Sequence, residues 1–598
     1  MNCRKIIGTA LSLAGAMLFA SASFAQAPQI VGVGSSGIFT TVGIAAVSAD
    51  PITGAAASCG THFWTAGSAI AQGIDARNGS IPAEGGNIWV AWDNDTTPTI
   101  VCAYLSVDSV VGQRLFLGQT ASGNATLNLT AAATSTAGAN KVSFVKDFCG
   151  AGPGCAGLPS AVYTLLNGKH FNVAFTDIRP EDGQYAYARA SCNRSGVTDA
   201  TCFGYGPAGG IGTAIQSSYS QTSAQVVAYA ISGTDPFSGL AIPAIKTIPI
   251  GGAPVVIFYN TSDATVGGLG NLLPTNINKT TLANFFSGNI GINDQLVGFS
   301  TGTPKALHVV IREPVSGTYN TFEFQGVHTR DGHGGDYTQE YGFGPGTPNC
   351  FTPPNPATFV PPVASGCANP ADAVGAQGAT YGGFRTRAIG TGEMVNAVSS
   401  ANNPNSIGYA FFGLGTFGGK PNLKYMTLDG ADPLYPNYSS TNGAFPACTG
   451  FFNATPAFSC TGPLPTYDNV KSGSYRIWST VRAVIYASYT NPISGPSVPG
   501  LIQAGQDQAH VNIPDFVPSV YCANAACSSL VDGFPAFRSH YGISGISANN
   551  GGTGYCAPDQ TAPNCIEEGG DMAGVPFIDI QEKDYFNLTG NSFVTWIE

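Results

Sequence analysis

Charge is what this chain has least of. Only 10% of its 598 residues are charged, 24 basic against 35 acidic, and the formal net charge is −11. So few basic residues leave no electrostatic footprint for nucleic acid. A small anion is not excluded, because a buried site acts through single side chains and local dipoles rather than global charge. The apolar stretch from Ile6 to Ala20 is short for a membrane span, and no later run is long enough to cross a bilayer. No internal repeat is present, which excludes a solenoid. The segment Gly34 to Gly37 lacks the Gly-x-Ser-x-Gly frame of a nucleophile elbow, and no catalytic triad can be named. Metal-ligand spacing is equally scarce. Cys522 and Cys527 have no second pair or histidine nearby, and His328, Asp331, His333 and Asp336 sit in a glycine-rich, turn-like stretch. Asp93 to Asp95 reads as a turn rather than a calcium loop. The expectation is a protein that is not an enzyme and holds no metal or cofactor.

What is present points to a folded, exported chain. Hydrophobic residues reach 43%, with 78 glycines and 40 prolines, a composition for many strands joined by long surface loops. Arg4 and Lys5 precede an apolar stretch from Ile6 to Ala20, and Ser23, Phe24 and Ala25 form a small-x-small cleavage site. Residues 1–25 therefore read as a signal peptide cleaved after Ala25, with Ala20 to Ala22 as the other candidate site. The mature protein is expected in the periplasm, secreted or at the cell surface.

Cysteine usage agrees with an oxidising compartment. Setting Cys3 aside leaves fourteen of the 15 cysteines, which fall into sequence neighbours: Cys59/Cys102, Cys149/Cys155, Cys192/Cys202, Cys350/Cys367, Cys448/Cys460, Cys522/Cys527 and Cys556/Cys565. Local disulfides that staple loops suit this pattern, although spacing does not fix connectivity.

Along the chain, short apolar runs alternate with helix-like stretches. Strands are predicted at 29–33, 87–92, 99–105, 170–175, 254–259, 306–311 and 479–486, with helices at 281–286 and 319–324. The fold class is α/β. Segments near 118–165, 343–383, 430–470 and 495–570 are rich in small polar residues, glycine or proline and read as disulfide-stapled insertions on a compact core. In an open α/β sheet, ligands bind beyond the carboxyl ends of strands. Ser36, Ser109, Asp177 and the segment Arg312 to Thr318 all follow predicted strands and are candidates for one cleft. Arginine at a strand end, followed by Ser316, Gly317 and Thr318, would make an oxyanion cradle of guanidinium, hydroxyls and backbone N–H groups. Taken alone, the same residues read as an ordinary serine-capped helix.

Together these motifs resemble the phosphate-binding protein of bacterial ABC phosphate importers, a type II periplasmic binding protein. The most specific match is Arg-x-x-x-Ser-Gly-Thr at Arg312, Ser316, Gly317 and Thr318. Thr176 to Asp182 is similar to a Ser-Asp-x-Pro-x-x-Asp stretch that places Asp177 on the ligand. Asp108 to Gly112 is similar to a serine loop that places Ser109 there, and Gly32 to Gly37 to the first glycine-rich loop, with Ser36 at a ligand threonine position. Leu282 to Ile290, Gly390 to Val398, Ser406 to Tyr409 and Ile477 to Ile485 match in architecture and in order.

The resemblance implies an enlarged, divergent member with two lobes, 28–250 plus 484–598 and 255–480, crossed near 255–257 and 481–485. It implies capture of phosphate or a similar oxyanion by a monomer and delivery to ABC transporter membrane subunits. The ligand set would be Ser36, Gly37, Ser109, Asp177, Arg312, Ser316, Gly317 and Thr318. Asp177 can only accept, so it would select an oxyanion that carries a proton. Three positions depart from the pattern. Gly37 stands where the family has an aromatic contact, Pro314 where many members have an aspartate bracing the arginine, and Asp108 where the family has glycine. Asp108 is expected to face away from the ligand. A surface or matrix protein that kept the fold without binding, and a secreted phosphoester hydrolase, are the competing readings.

Overall fold

The computed structural model describes residues 29–67, 71–74, 84–118, 125–133, 157–180, 182–183, most of 230–327, residue 339, 384–388, 390–449, 458–489 and 495–518. It also describes strand segments at 536–540, 569–573, 581–587 and 591–597. The expected signal segment 1–25, five of the seven cysteine pairs, Pro314 and the His328 to Asp336 cluster lie outside the described residues. The other two pairs, Cys59–Cys102 and Cys448–Cys460, are disulfides.

Strands rich in Val, Ile and aromatic residues, buried on both faces, build one mixed sheet. We label them β1 (Ile30–Gly34), β2 (His62–Ala66), β3 (Asn87–Trp92), β4 (Val101–Ser106), β5 (Val173–Thr176), β6 (Ile245–Asn260), β7 (His308–Arg312), β8 (Phe384–Ala388), β9 (Ser406–Phe411), β10 (Leu423–Leu428) and β11 (Trp478–Tyr486). The order across the sheet is β8-β7-β9-β6-β11-β5-β1-β4-β3-β2, and β10 adds to β6. β1 runs parallel to β4 and β5, and β7 runs parallel to β8 and β9. The joins between these groups are antiparallel, β9 to β6, β6 to β11 and β11 to β5.

One long strand therefore belongs to two half-sheets. From Ile245 to Pro254, β6 pairs with β11; from Val255 onward it pairs with β9 and β10. The protein is accordingly a two-lobed α/β molecule whose lobes meet at the β6–β11 ribbon. The helices used below are α1 (Phe39–Val47), α2 (Ser109–Leu117), α3 (Lys279–Phe286), α4 (Gly317–Phe322), α5 (Gly390–Ser399) and α6 (Val498–Val511). The first lobe carries α1 and α2 on the β1 half-sheet, and the second carries α3, α4 and α5 around β7 and β9. Phe286 of α3 and Phe322 of α4 pack against Tyr409 of β9, which fixes the far end of β7.

Two segments expected as insertions are partly core. Within 430–470, Leu434, Tyr435 and Tyr467 are buried, and Phe445 stacks on Phe417 at 4.3 Å. Within 495–570, Ser497 caps α6, whose Leu501 and Ile502 are buried and whose Gly505 faces Val42 of α1. Their richness in Pro, Gly and Ser marks turns and a Pro-started helix rather than a departure from the core. The turn expected at Asp93 to Asp95 is one: Asp93 accepts the N–H groups of Thr99 and Ile100, each at 2.9 Å.

Candidate functional site

The first lobe brings three polar residues to the ends of adjacent strands. β1 ends at Gly34, whose φ of +133° and 1.9 Å hypothetical Cβ approach to the Phe175 carbonyl admit only glycine. The chain then turns through Ser36 to Ile38, and the Ser36 hydroxyl donates to Thr391 Oγ1 at 2.9 Å. Ser109 opens α2, which lies so close to β1 that a Cβ on Gly112 would sit 2.4 Å from Gly34 Cα. Gln113 of α2 donates to Thr176 Oγ1 at 2.7 Å and to the Ile178 carbonyl at 3.1 Å, which ties the helix to the turn carrying Asp177. The Asp177 carbonyl accepts the Ser479 hydroxyl of β11.

The second lobe supplies the cation. Arg312 is the last residue of β7 and is fully buried. Its backbone N–H donates to the Tyr409 hydroxyl at 3.1 Å. Its Nη1 donates to Thr318 Oγ1 at 3.4 Å and to Thr391 Oγ1 at 3.3 Å. Its Nη2 pairs with Asp108 Oδ1 of the first lobe. Gly317 comes against the first lobe as well. A Cβ there would lie 1.9 Å from Asp177 Oδ1 and 2.8 Å from Ser109 Oγ.

Ser36, Ser109, Asp177, Arg312, Gly317 and Thr318 thus converge, although they come from both lobes. Two candidates are placed differently. The Ser316 hydroxyl caps α4, accepting the Tyr319 N–H at 3.3 Å. Gly37 lies beside Phe411 and gives its N–H to Ser35 Oγ at 3.1 Å.

Asp108 corrects an expectation. It does not face away; it is buried and paired with Arg312 across the lobes. Thr391, at the start of α5, was not anticipated either. A threonine at a helix start reads as a cap, and nothing local in the sequence ties it to Arg312. The Asp-Ser-Val-Val-Gly stretch forms the first turn of α2 rather than a free loop.

Burial shapes the electrostatics. Asp177 is pushed up to about 7, chiefly by desolvation and further by the Asp108 charge, against the pull of Arg312 and Arg482. Desolvation raises Asp108 too, although Arg312 opposes the shift. Asp108 Oδ2 and Asp177 Oδ1 are both buried without a hydrogen-bond partner among the described residues. A carboxylate oxygen left in that state costs about 1–3 kcal/mol. Chemically, the cluster offers a planar guanidinium fork, several hydroxyls and two carboxylate oxygens able to accept a proton. Among the described residues no group of three or more His, Cys, Asp or Glu side chains could hold a metal ion, and no helix is long and apolar enough to cross a membrane.

No known family model matches this chain, and no curated protein is similar to it in sequence. Among solved structures it is similar to a DING protein, with 12% identity over 77% of this chain and 82% of that one, at a TM-score of 0.31. It is similar to a phosphate-binding protein from Stenotrophomonas maltophilia, with 17% identity over 55% and 68% and a TM-score of 0.24. An ABC-type phosphate transport receptor from Vibrio cholerae has 14% identity over 44% and 67% and a TM-score of 0.21.

Proposed function

We propose that the protein captures phosphate, or an oxyanion of similar shape, in the cleft between its lobes, outside the cytoplasm and for delivery to an ABC importer. The lobes would be 28–250 with 484–598, and 255–480. The observation that carries this reading is the buried convergence on Arg312. A guanidinium from one lobe lies within one hydrogen-bonded cluster with Ser36, Thr391 and Thr318, and Gly317 abuts Ser109 and Asp177 of the other lobe. On this reading Arg312 makes the charge-assisted bonds to the anion. Ser36, Ser109, Thr318 and Thr391 add hydroxyl donors. Asp177 Oδ1 takes the one proton shared with the ligand. Above about pH 7, where Asp177 is charged, an anion without that proton leaves a buried carboxylate facing like charge, which gives phosphate and arsenate preference over sulfate.

Calorimetric titration with phosphate, arsenate and sulfate tests the assignment. At pH 8, heat with phosphate and arsenate but not sulfate is expected, and its absence with every oxyanion refutes the capture reading. One observation favours a second reading, a surface protein that keeps the fold without tight anion binding: Arg312 already has the Asp108 carboxylate as partner. Phosphate release from a generic ester would point instead to a hydrolase.

A further inference from the structure

Asp108 does something an aspartate at its position ordinarily does not. It precedes α2 in extended backbone, φ −84° and ψ 157°, the place from which a carboxylate normally accepts the first free N–H groups of a helix. Its side chain makes no such bond. It reaches instead to Arg312, 204 residues away on the other lobe, and both side chains are almost entirely shielded from water. One of its oxygens pairs with Nη2 while the other has no partner among the described residues. Arg312 Nη1 meanwhile donates to the Thr391 and Thr318 hydroxyl oxygens, at 3.3 and 3.4 Å. The guanidinium is engaged by a carboxylate in the way an arriving oxyanion would engage it.

We propose that Asp108 is a resident counter-ion for Arg312, a latch that draws the lobes together when no anion is bound and that an incoming oxyanion must displace. This deepens the oxyanion reading and rests on it. The groups facing Asp108 bear it out in sign. From the first lobe the Asp177 carboxylate repels it, and from the second Arg312 attracts it. Placing a further anion on Arg312 while Asp108 stays would gather it with the Asp108 and Asp177 carboxylates, against the pull that Arg312 and Arg482 of β11 exert on Asp177. Displacement of Asp108 relieves that crowding. The freed carboxylate has the vacant cap position of α2 beside it, so release costs the helix nothing and satisfies N–H groups there.

The test compares the full-length mature chain with Asp108→Asn, close in shape, and Asp108→Ser, a good helix cap, so that failure of one variant to fold leaves the other. Small-angle scattering reports lobe separation without ligand, and calorimetry with inorganic phosphate reports affinity. The wild type is expected to be compact both with and without phosphate. Both variants are expected to be more open without phosphate, to close when it is added, and to bind it about tenfold more tightly or better. Equal ligand-free dimensions in wild type and variants, or measurable phosphate binding with variant affinity equal to or below wild type, overturns the latch. If no protein binds phosphate but the variants are still the more open, the latch stands and oxyanion capture falls. If all bind phosphate equally with equal dimensions, capture stands and the latch falls.

Discussion

At the scale of single residues, the cleft is organised by what is absent at 317. A Cβ there would meet Asp177 Oδ1 at 1.9 Å and Ser109 Oγ at 2.8 Å, neither of which is the far end of a flexible chain. Gly317→Ala must therefore hold the lobes apart or distort the Asp177 turn. Overpacking of this kind costs about 1–3 kcal/mol, which is roughly a 5- to 150-fold loss of phosphate affinity by calorimetry, with the circular dichroism spectrum unchanged. Asp177 makes a second prediction. Below about 7 its carboxyl is protonated and can be a donor to the anion; above that it is charged and repels a dianion. Wild-type phosphate affinity should fall more steeply with pH above 7 than affinity of Asp177→Asn, whose residual slope is that of phosphate alone. Equal slopes would remove Asp177 from the site. These residues were readable in sequence to different degrees. Arg312, Gly317 and Thr318 announce themselves because the chemistry is local: strand end, glycine, hydroxyl. Asp108 and Thr391 do not, because each acquires its role only when a residue 204 or 79 positions away folds against it.

At the scale of elements, β9 (Ser406–Phe411) is marked in the sequence only by the resemblance, and β2, β8 and β10 are not among the predicted strands. The other seven strands were legible as apolar runs; β4 (Val101–Ser106), for one, is buried at all six positions. The extent of β6 was not legible. Its Pro249, Gly251 and Gly252 read as a break, yet they lie where β6 pairs with β11 and the register shifts between Val481 and Arg482. A bulge absorbs what would otherwise interrupt a ladder. Helix α6 is hidden in the sequence because its first turn carries Pro499 and Gly500, although Ser497 caps it and the proline suits N1 or N2. One covalent tie works at this scale. Cys59, beyond the loop that follows α1, is bonded to Cys102 in β4 across 43 residues, and both cysteines are wholly buried. On the chain-entropy account a loop of that length contributes about 4 kcal/mol. The Cys59→Ala, Cys102→Ala double variant should lose about that much in urea unfolding while keeping its phosphate affinity. A loss below about 1 kcal/mol would mean that the unreduced chain gains nothing from the tie.

At the scale of the whole molecule, the low charge content makes each buried carboxylate count. Asp515 joins α1 to the second lobe, accepting the Thr41 hydroxyl at 2.6 Å and the Leu414 N–H at 2.7 Å. Burial raises it to about 6, against those two bonds. Asp507 of α6 is raised to about 6 by partial burial and by the neighbouring Asp50. With Asp177 at about 7, these groups are all raised above their unfolded value of 3.8. Between about 4 and 7 the folded protein therefore holds more protons than the unfolded chain, and stability rises as pH falls through that window. Below it the balance reverses. Asp263, bonded to Lys305 at 2.6 Å and to Asn405 at 2.8 Å, is held well below the usual carboxylate range, and the stability it gives is lost as pH drops under its unfolded value. The melting temperature should accordingly be higher at pH 5 than at pH 8 and fall again toward pH 3. Asp515→Asn should flatten the rise between 8 and 5, since the amide cannot charge; its oxygen can keep the Leu414 N–H bond, while its NH2 group would donate to the Thr41 hydroxyl instead of accepting from it. A melting temperature that climbs steadily from pH 5 to pH 8 would mean that these carboxylates are ionised at little cost and that the lobes are not packed around them as described.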